Sequence, residues 1–188
     1  MKPSRLIASA AAFLMAGGLL FGAPYTVDVS HSSVGFKIKH LMISNVTGNF
    51  SRFSGSYDLE SGVLKSLEGH IEAASVDTGV EKRDDHLRSP DFFDAARYPD
   101  ITFTMTGVSG DTLTGDLTLH GVTRSVTLEA EVSGVVKDPW GNTRSSISLS
   151  GKIKRSDFGL TWNKALETGG VVVGDEVKLS VELEGIAK

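Results

Sequence analysis

The segment Ile101-Thr102-Phe103-Thr104-Met105-Thr106 alternates strictly between apolar and polar side chains. A period of two places Ile, Phe and Met on one face of an extended strand and the threonines on the other, which predicts a half-buried β-strand. The same pattern extends in both directions. Toward the N-terminus, Tyr25-Thr-Val27-Asp-Val29 opens the series, and Val34-Gly-Phe36-Lys-Ile38-Lys sets three apolar residues against two lysines. Toward the C-terminus come Leu113-Thr-Gly115-Asp-Leu117-Thr-Leu119, Val126-Thr-Leu128-Glu-Ala130-Glu-Val132, Ile147-Ser-Leu149-Ser-Gly151-Lys-Ile153 and Val177-Lys-Leu179-Ser-Val181-Glu-Leu183. Turn residues separate these runs at Glu60-Ser-Gly62, Gly107 to Asp111, His120-Gly121 and Asp138-Pro-Trp-Gly-Asn142. The runs number about eight, and their short connections predict antiparallel hairpins. No strand–helix–strand repeat and no glycine-rich phosphate loop occurs, which argues against a parallel nucleotide-binding sheet. The fold class is all-β.

Two places depart from the alternation. Val46, Gly48 and Phe50 share one parity while Phe53, Gly55, Tyr57 and Leu59 share the other, which predicts a bulge between Phe50 and Phe53 within one long strand. Between Val76 and Pro99 the pattern is lost. Ser89-Pro90-Asp91 there has a hydroxyl cap, proline at a first helical position and an acid in the first turn, predicting a short helix that Pro99 ends. Such an insert in a β domain is expected to be a lid or a binding loop.

A chain of 188 residues is sized for one domain, or one domain and a tail. Lys and Arg sum to 19 against 23 Asp and Glu, a formal charge of −4. With no basic run, nothing points to nucleic acid. Cysteine is absent, which removes disulfides, thiolate metal sites, thiol catalysis and a lipidated cysteine together. At the N-terminus, Lys2 and Arg5 precede an apolar and small-residue run from Leu6 to Ala23, the layout of a secretory signal peptide over residues 1–22, with cleavage expected between 18 and 23. The run is just long enough for a membrane span, but Gly17, Gly18 and Gly22 weaken it and no cationic stop-transfer cluster follows. Residues 23–188 are then the mature domain.

A sheet of about eight antiparallel strands splits into a sandwich or closes into a barrel, and a closed one is filled by side chains or holds a small ligand. Gly48, Gly55, Gly69, Gly115 and Gly151 all fall on the apolar parity, where each leaves volume or lets the strand bend. Five on the same parity favour a hollow interior. Burying ten methylenes of a tail there would contribute about 8 kcal/mol gross. The candidate ligand contacts are the apolar-parity residues Phe36, Ile38, Phe50, Phe53, Tyr57, Ile71, Phe103, Met105, Leu117, Leu119, Leu128, Ile147 and Leu149.

The chain also resembles the YceI-like family of bacterial periplasmic lipid-binding proteins over nearly everything beyond the leader. The resemblance is carried by Tyr25-Thr-Val-Asp28, His31-Ser32, Phe36-Lys-Ile-Lys-His40-Leu41, Gly48-Asn-Phe50, Phe53-Ser-Gly55 and Val76-Asp77-Thr78. It continues through Arg83-Asp84-Asp85-His86-Leu87-Arg88-Ser89, Asp91-Phe92-Phe93-Asp94, Tyr98-Pro99-Asp-Ile101-Thr-Phe103, Gly115 to Thr123 and Arg155-Ser-Asp157-Phe158-Gly159-Leu160. It implies a closed, lipocalin-like, up-and-down antiparallel barrel whose apolar pore holds a long polyisoprenoid or a related amphiphile. The expected role is a periplasmic carrier, not an enzyme. Its cargo would be an isoprenoid or quinone-like lipid, no further cofactor is implied, and a transient membrane contact and a homodimer both stay open.

The polar candidates are Asp77, Arg83, Asp84 and His86, which could meet an amphiphile's head at the rim. Arg83-Asp84-Asp85-His86 also allows a second reading, an enzyme with His86 as general base oriented by Asp84 or Asp85. A third is a clasp that fixes the insert to the barrel through Arg–carboxylate bonds. The five histidines form no metal-ligating spacing and no serine sits in a nucleophile elbow. Trp140, at a hairpin tip, is a candidate membrane contact.

Overall fold

The computed structural model describes residues 24–167 and 169–188; the leader expected over residues 1–22 lies outside them. Twelve strands follow one another: β1 (Pro24–Val27), β2 (Ser33–His40), β3 (Ser44–Phe50), β4 (Phe53–Glu60), β5 (Val63–Glu72), β6 (Val76–Asp77), β7 (Asp100–Ser109), β8 (Thr112–Leu119), β9 (Val122–Val132), β10 (Val136–Lys137), β11 (Thr143–Lys154) and β12 (Val173–Ala187). Among the described residues a single α-helix, α1 (Glu81–Arg88), stands between β6 and β7. Eight strands close a ring in the order β11, β9, β8, β7, β5, β4, β1, β12 and back to β11, every pairing antiparallel. Closure leaves this ring without unpaired edges.

β12 carries the closure because its 15 residues serve successive neighbours on one side. Gly185 to Ala187 pair with β1, while Val173 to Glu182 pair with β2. The β2–β3 hairpin, with β6 paired to the end of β3, therefore extends the wall at one end of the barrel only.

Two sequence expectations are corrected. The parity change between Phe50 and Phe53 is not a bulge within one strand. The chain bends at Ser51 and Arg52 and changes partners, β3 pairing with β2 and β6, and β4 with β5 and β1. The helix is also displaced: it ends where it was expected to begin. Ser89 is its C-terminal cap, extended at φ −72° and ψ 169°. Pro90 is the reason, since a proline disfavours helical backbone in the residue before it. Residues 90–99 instead form turns tied back to the helix by bonds such as Phe93 N–H to Leu87 O, 2.9 Å.

The buried side chains form two clusters. One, around Tyr25, Tyr57, Leu64, Leu113 and Ile147, fills the end where β12 meets β1. The other, around Phe50, Phe92, Ile101, Phe158 and Leu160, lies toward α1.

A closed-ended apolar cavity as the candidate site

At the filled end the barrel is plugged. Tyr57 is 1% exposed and stacks on Tyr25 with ring centroids 5.1 Å apart. Its hydroxyl donates to the Ser145 carbonyl at 2.9 Å and lies 2.8 Å from the Ser145 hydroxyl. Burial pushes the phenol pKa up, so it stays neutral and a donor. Just outside the plug, Arg144 donates to Asp28 at 2.8 Å, to Asp138 at 2.7 Å and to Glu184. Hydrogen bonds from Ser30, Arg144 and His31 hold the Asp28 carboxyl well below the usual carboxylate range. Asp138 is partly raised by its burial, but the bonds from Arg144 and Asn142 win and bring it down to about 2. Asp28, His31 and Glu184 converge closely enough to suggest metal ligands, yet Arg144 already balances both carboxylates.

Above the plug is a cavity of about 630 Å³ with a predominantly apolar wall. Its size falls within the usual 300–1,000 Å³ range of small-molecule sites. Of the thirteen expected contacts, ten line it: Phe36, Ile38, Phe50, Phe53, Ile71, Phe103, Leu117, Leu119, Leu128 and Leu149. Tyr57, Ile147 and Met105 do not; Tyr57 and Ile147 belong to the plug and Met105 packs against it. Parity names the inward face but not the height along the barrel, so it could not separate floor from wall.

The glycines act differently from their expected role. A Cβ on Gly48 would sit 2.4 Å from the Phe36 ring, on Gly115 2.1 Å from Phe103, and on Gly151 2.5 Å from a Leu128 methyl. These absent side chains are filled by neighbours lying across the strand, not left as volume. Only Gly69, of the five, faces open space on the cavity wall.

The insert covers the end opposite the plug. His86, Leu87, Phe92 and Phe93 line the cavity there, with His86 edge-on to Phe92 and to Trp162 at 5.0 Å. Arg83 and His86 thus reach the cavity, whereas Asp77 and Asp84 do not. Asp77 accepts from Gly79 N–H at 2.7 Å. Asp84 is buried and accepts from Thr78 N–H at 2.9 Å and from the Thr78 hydroxyl. Arg83 donates to the Thr78 hydroxyl and carbonyl, so the clasp exists but is closed by threonine where carboxylates were expected. His86 pairs through Nε2 with Asp91, 2.9 Å away, not with Asp84 or Asp85; Asp85 pairs with Arg88. The dyad expected of a catalytic loop is therefore differently composed.

Arg155, part of the family motifs but not among the expected site residues, lines the cavity while 6% exposed. It donates to the Gly174 carbonyl at 2.8 Å and to those of Leu160 and Val173, and burial pushes its pKa down. A signal existed: Ile147, Leu149, Gly151 and Ile153 point inward, and continuing that parity reaches Arg155.

The YceI-like domain profile matches residues 25–185. This chain belongs to the YceI-like family. Protein YceI of Escherichia coli is 39% identical over 194 residues, covering 99% of this chain and 98% of that protein. The crystal structure of the Campylobacter jejuni YCEI protein is 42% identical, with a TM-score of 0.69 over 86% of this chain and 96% of that one. A polyisoprenoid binding domain from Saccharophagus degradans, at 20% identity, shares the YceI-like fold with a TM-score of 0.65, covering 87% and 98%.

Proposed function

We propose that this YceI-like protein is a carrier that holds one long-chain apolar molecule, a polyisoprenoid or quinone-like amphiphile, inside the barrel. The observation that carries the reading is the plugged, apolar cavity of about 630 Å³. At about 30 Å³ for a water-sized group, that space takes roughly twenty methylene-sized units. Their burial contributes about 16 kcal/mol gross before ordering costs, enough for tight binding without any covalent step. The ten wall residues named above would contact the tail, and Arg83, His86 and Arg155 stand where a polar head would lie. The fold shared with a polyisoprenoid binding domain agrees with this cargo class. The basic, apolar N-terminal run supports export through a signal peptide and work in the periplasm.

The test is native mass spectrometry of protein purified from its own periplasm, followed by mass spectrometry of an organic extract. A stoichiometric long-chain lipid is expected. Protein that is empty as isolated and stays empty after incubation with quinones and isoprenoids would overturn the reading.

A further inference from the structure

The turn between β2 and β3 carries three consecutive apolar residues, Leu41, Met42 and Ile43, all exposed; Ile43 is 82% and Met42 53% exposed. Leu41 and Met42 adopt positive φ, 51° and 63°, a backbone that a two-residue Asn-Gly pair would take at lower cost. Turn chemistry therefore does not call for these side chains, and core packing does not use them. Their place in the fold is specific. His40, immediately before them, lines the cavity, and Leu41 N–H donates to the carbonyl of Val172, another wall residue, at 2.8 Å. The exposed Val80 also belongs to that wall.

Three cations stand at the same end of the cavity. Lys39 and Lys82 are exposed and line the cavity, and Lys164 lies over the Trp162 ring at 5.9 Å. The pairs formed at this end, the Arg88–Asp85 ion pair and the His86–Asp91 hydrogen bond, leave those three lysines unpaired among the described residues. Glu68 is the only acid in the described cavity wall. A protruding apolar tip with three unpaired lysines at the same cavity end is complementary to an anionic bilayer surface: the tip enters the acyl boundary and the lysines meet the headgroups. Trp140, as exposed as Ile43 and close in the chain to the exposed Val135 and Val136, sits in the β10–β11 turn at the plugged end, far along the barrel from this tip.

We infer that the Leu41–Ile43 turn docks the cavity end of the barrel onto membranes bearing anionic lipid. A cargo tail then passes between bilayer and cavity with little exposure to water. The surface assignment does not depend on which molecule the cavity holds.

The test is co-sedimentation of the protein with vesicles of phosphatidylcholine alone and of phosphatidylcholine mixed with phosphatidylglycerol. Binding is expected to the mixed vesicles and to weaken with added salt. Ile43→Asp should lower it at least about tenfold, since a charge then replaces the inserted side chain. Lys164→Glu should lower it roughly fivefold or more. Trp140→Asp should leave it unchanged. Loading of a quinone from dilute detergent, measured in parallel, should survive Ile43→Asp, which separates a docking failure from a carrier failure. The inference is overturned if neither vesicle binds the protein, or if Trp140→Asp rather than Ile43→Asp abolishes binding. It is likewise overturned if the tip proves to mediate self-association, seen as a concentration-dependent sedimentation coefficient that Ile43→Asp abolishes.

Discussion

The Tyr57 hydroxyl reaches the Ser145 carbonyl across the end of the barrel, although β4 and β11 are not neighbours in the sheet. The ring can cross because Gly185 of β12 stands beneath it; a Cβ there would lie 2.5 Å from the Tyr57 oxygen. Tyr57→Phe should leave the fold intact and cost about 1–2 kcal/mol in chemical denaturation, the usual loss for an unmatched buried polar partner. Gly185→Ala should cost about 1–3 kcal/mol by overpacking. Equal stability of both variants with the parent would show that the stacked tyrosines are not a structural plug.

Arg144 with Asp28 and Asp138 makes stability depend on pH on the acid side. Both carboxyls titrate below the unfolded value of about 3.9. Their contribution is therefore complete above about pH 5 and is lost as pH falls through the folded values, toward pH 2 for Asp138. Thermal melts between pH 7 and pH 2 should show this decline. In Arg144→Met the melting temperature should fall at neutral pH and the acid slope should flatten.

Gly69 and Gly115 separate empty space from filled space. Gly69→Phe should enter the cavity, leave the melting temperature within a few degrees and weaken lipid loading at least about tenfold. Gly115→Ala meets the Phe103 ring and should destabilise by about 1–3 kcal/mol. Fluorescent-lipid titration beside thermal melting reads both.

Cavity length sets a limit on tail length. Affinity for a series of straight-chain amphiphiles should rise by up to about fourfold per methylene. It should level off near twenty carbons, when a cavity of about 630 Å³ is full. A rise that stops within a few carbons would place the tail elsewhere.

His86→Ala separates carrier from enzyme. Loss of the Asp91 bond and of the edge contacts with Phe92 and Trp162 should loosen the insert slightly while lipid loading changes only a few-fold. Turnover of an extracted lipid by the parent that vanishes in this variant would favour the catalytic reading.

The strand pattern was legible because alternation follows directly from the geometry of an extended chain with one buried face. Ile101 to Thr106 shows it within β7, and the same rule continued through Ile153 would have found Arg155. The helix was placed wrongly because Ser89-Pro90-Asp91 reads equally well as the stop of one helix and the start of another. Pro90 decides for the stop, because it disfavours helical backbone at Ser89, and the turns that follow hold that end through bonds such as Phe93 N–H to Leu87 O.

From sequence alone came the all-β class, the inward face of each strand and the family motifs, because each is local or periodic. Tertiary structure alone decided which end is plugged, that Phe36, Phe103 and Leu128 fill the places of glycines, that Arg144 gathers three carboxylates, and that the apolar turn at Leu41–Ile43 stands beside the cavity. These depend on strand register and on closure through β12. Register brings residues more than a hundred positions apart, such as Asp28 and Arg144, within 2.8 Å. Side-chain periodicity states which face a residue takes but carries no information on which distant residue will share its height in the barrel.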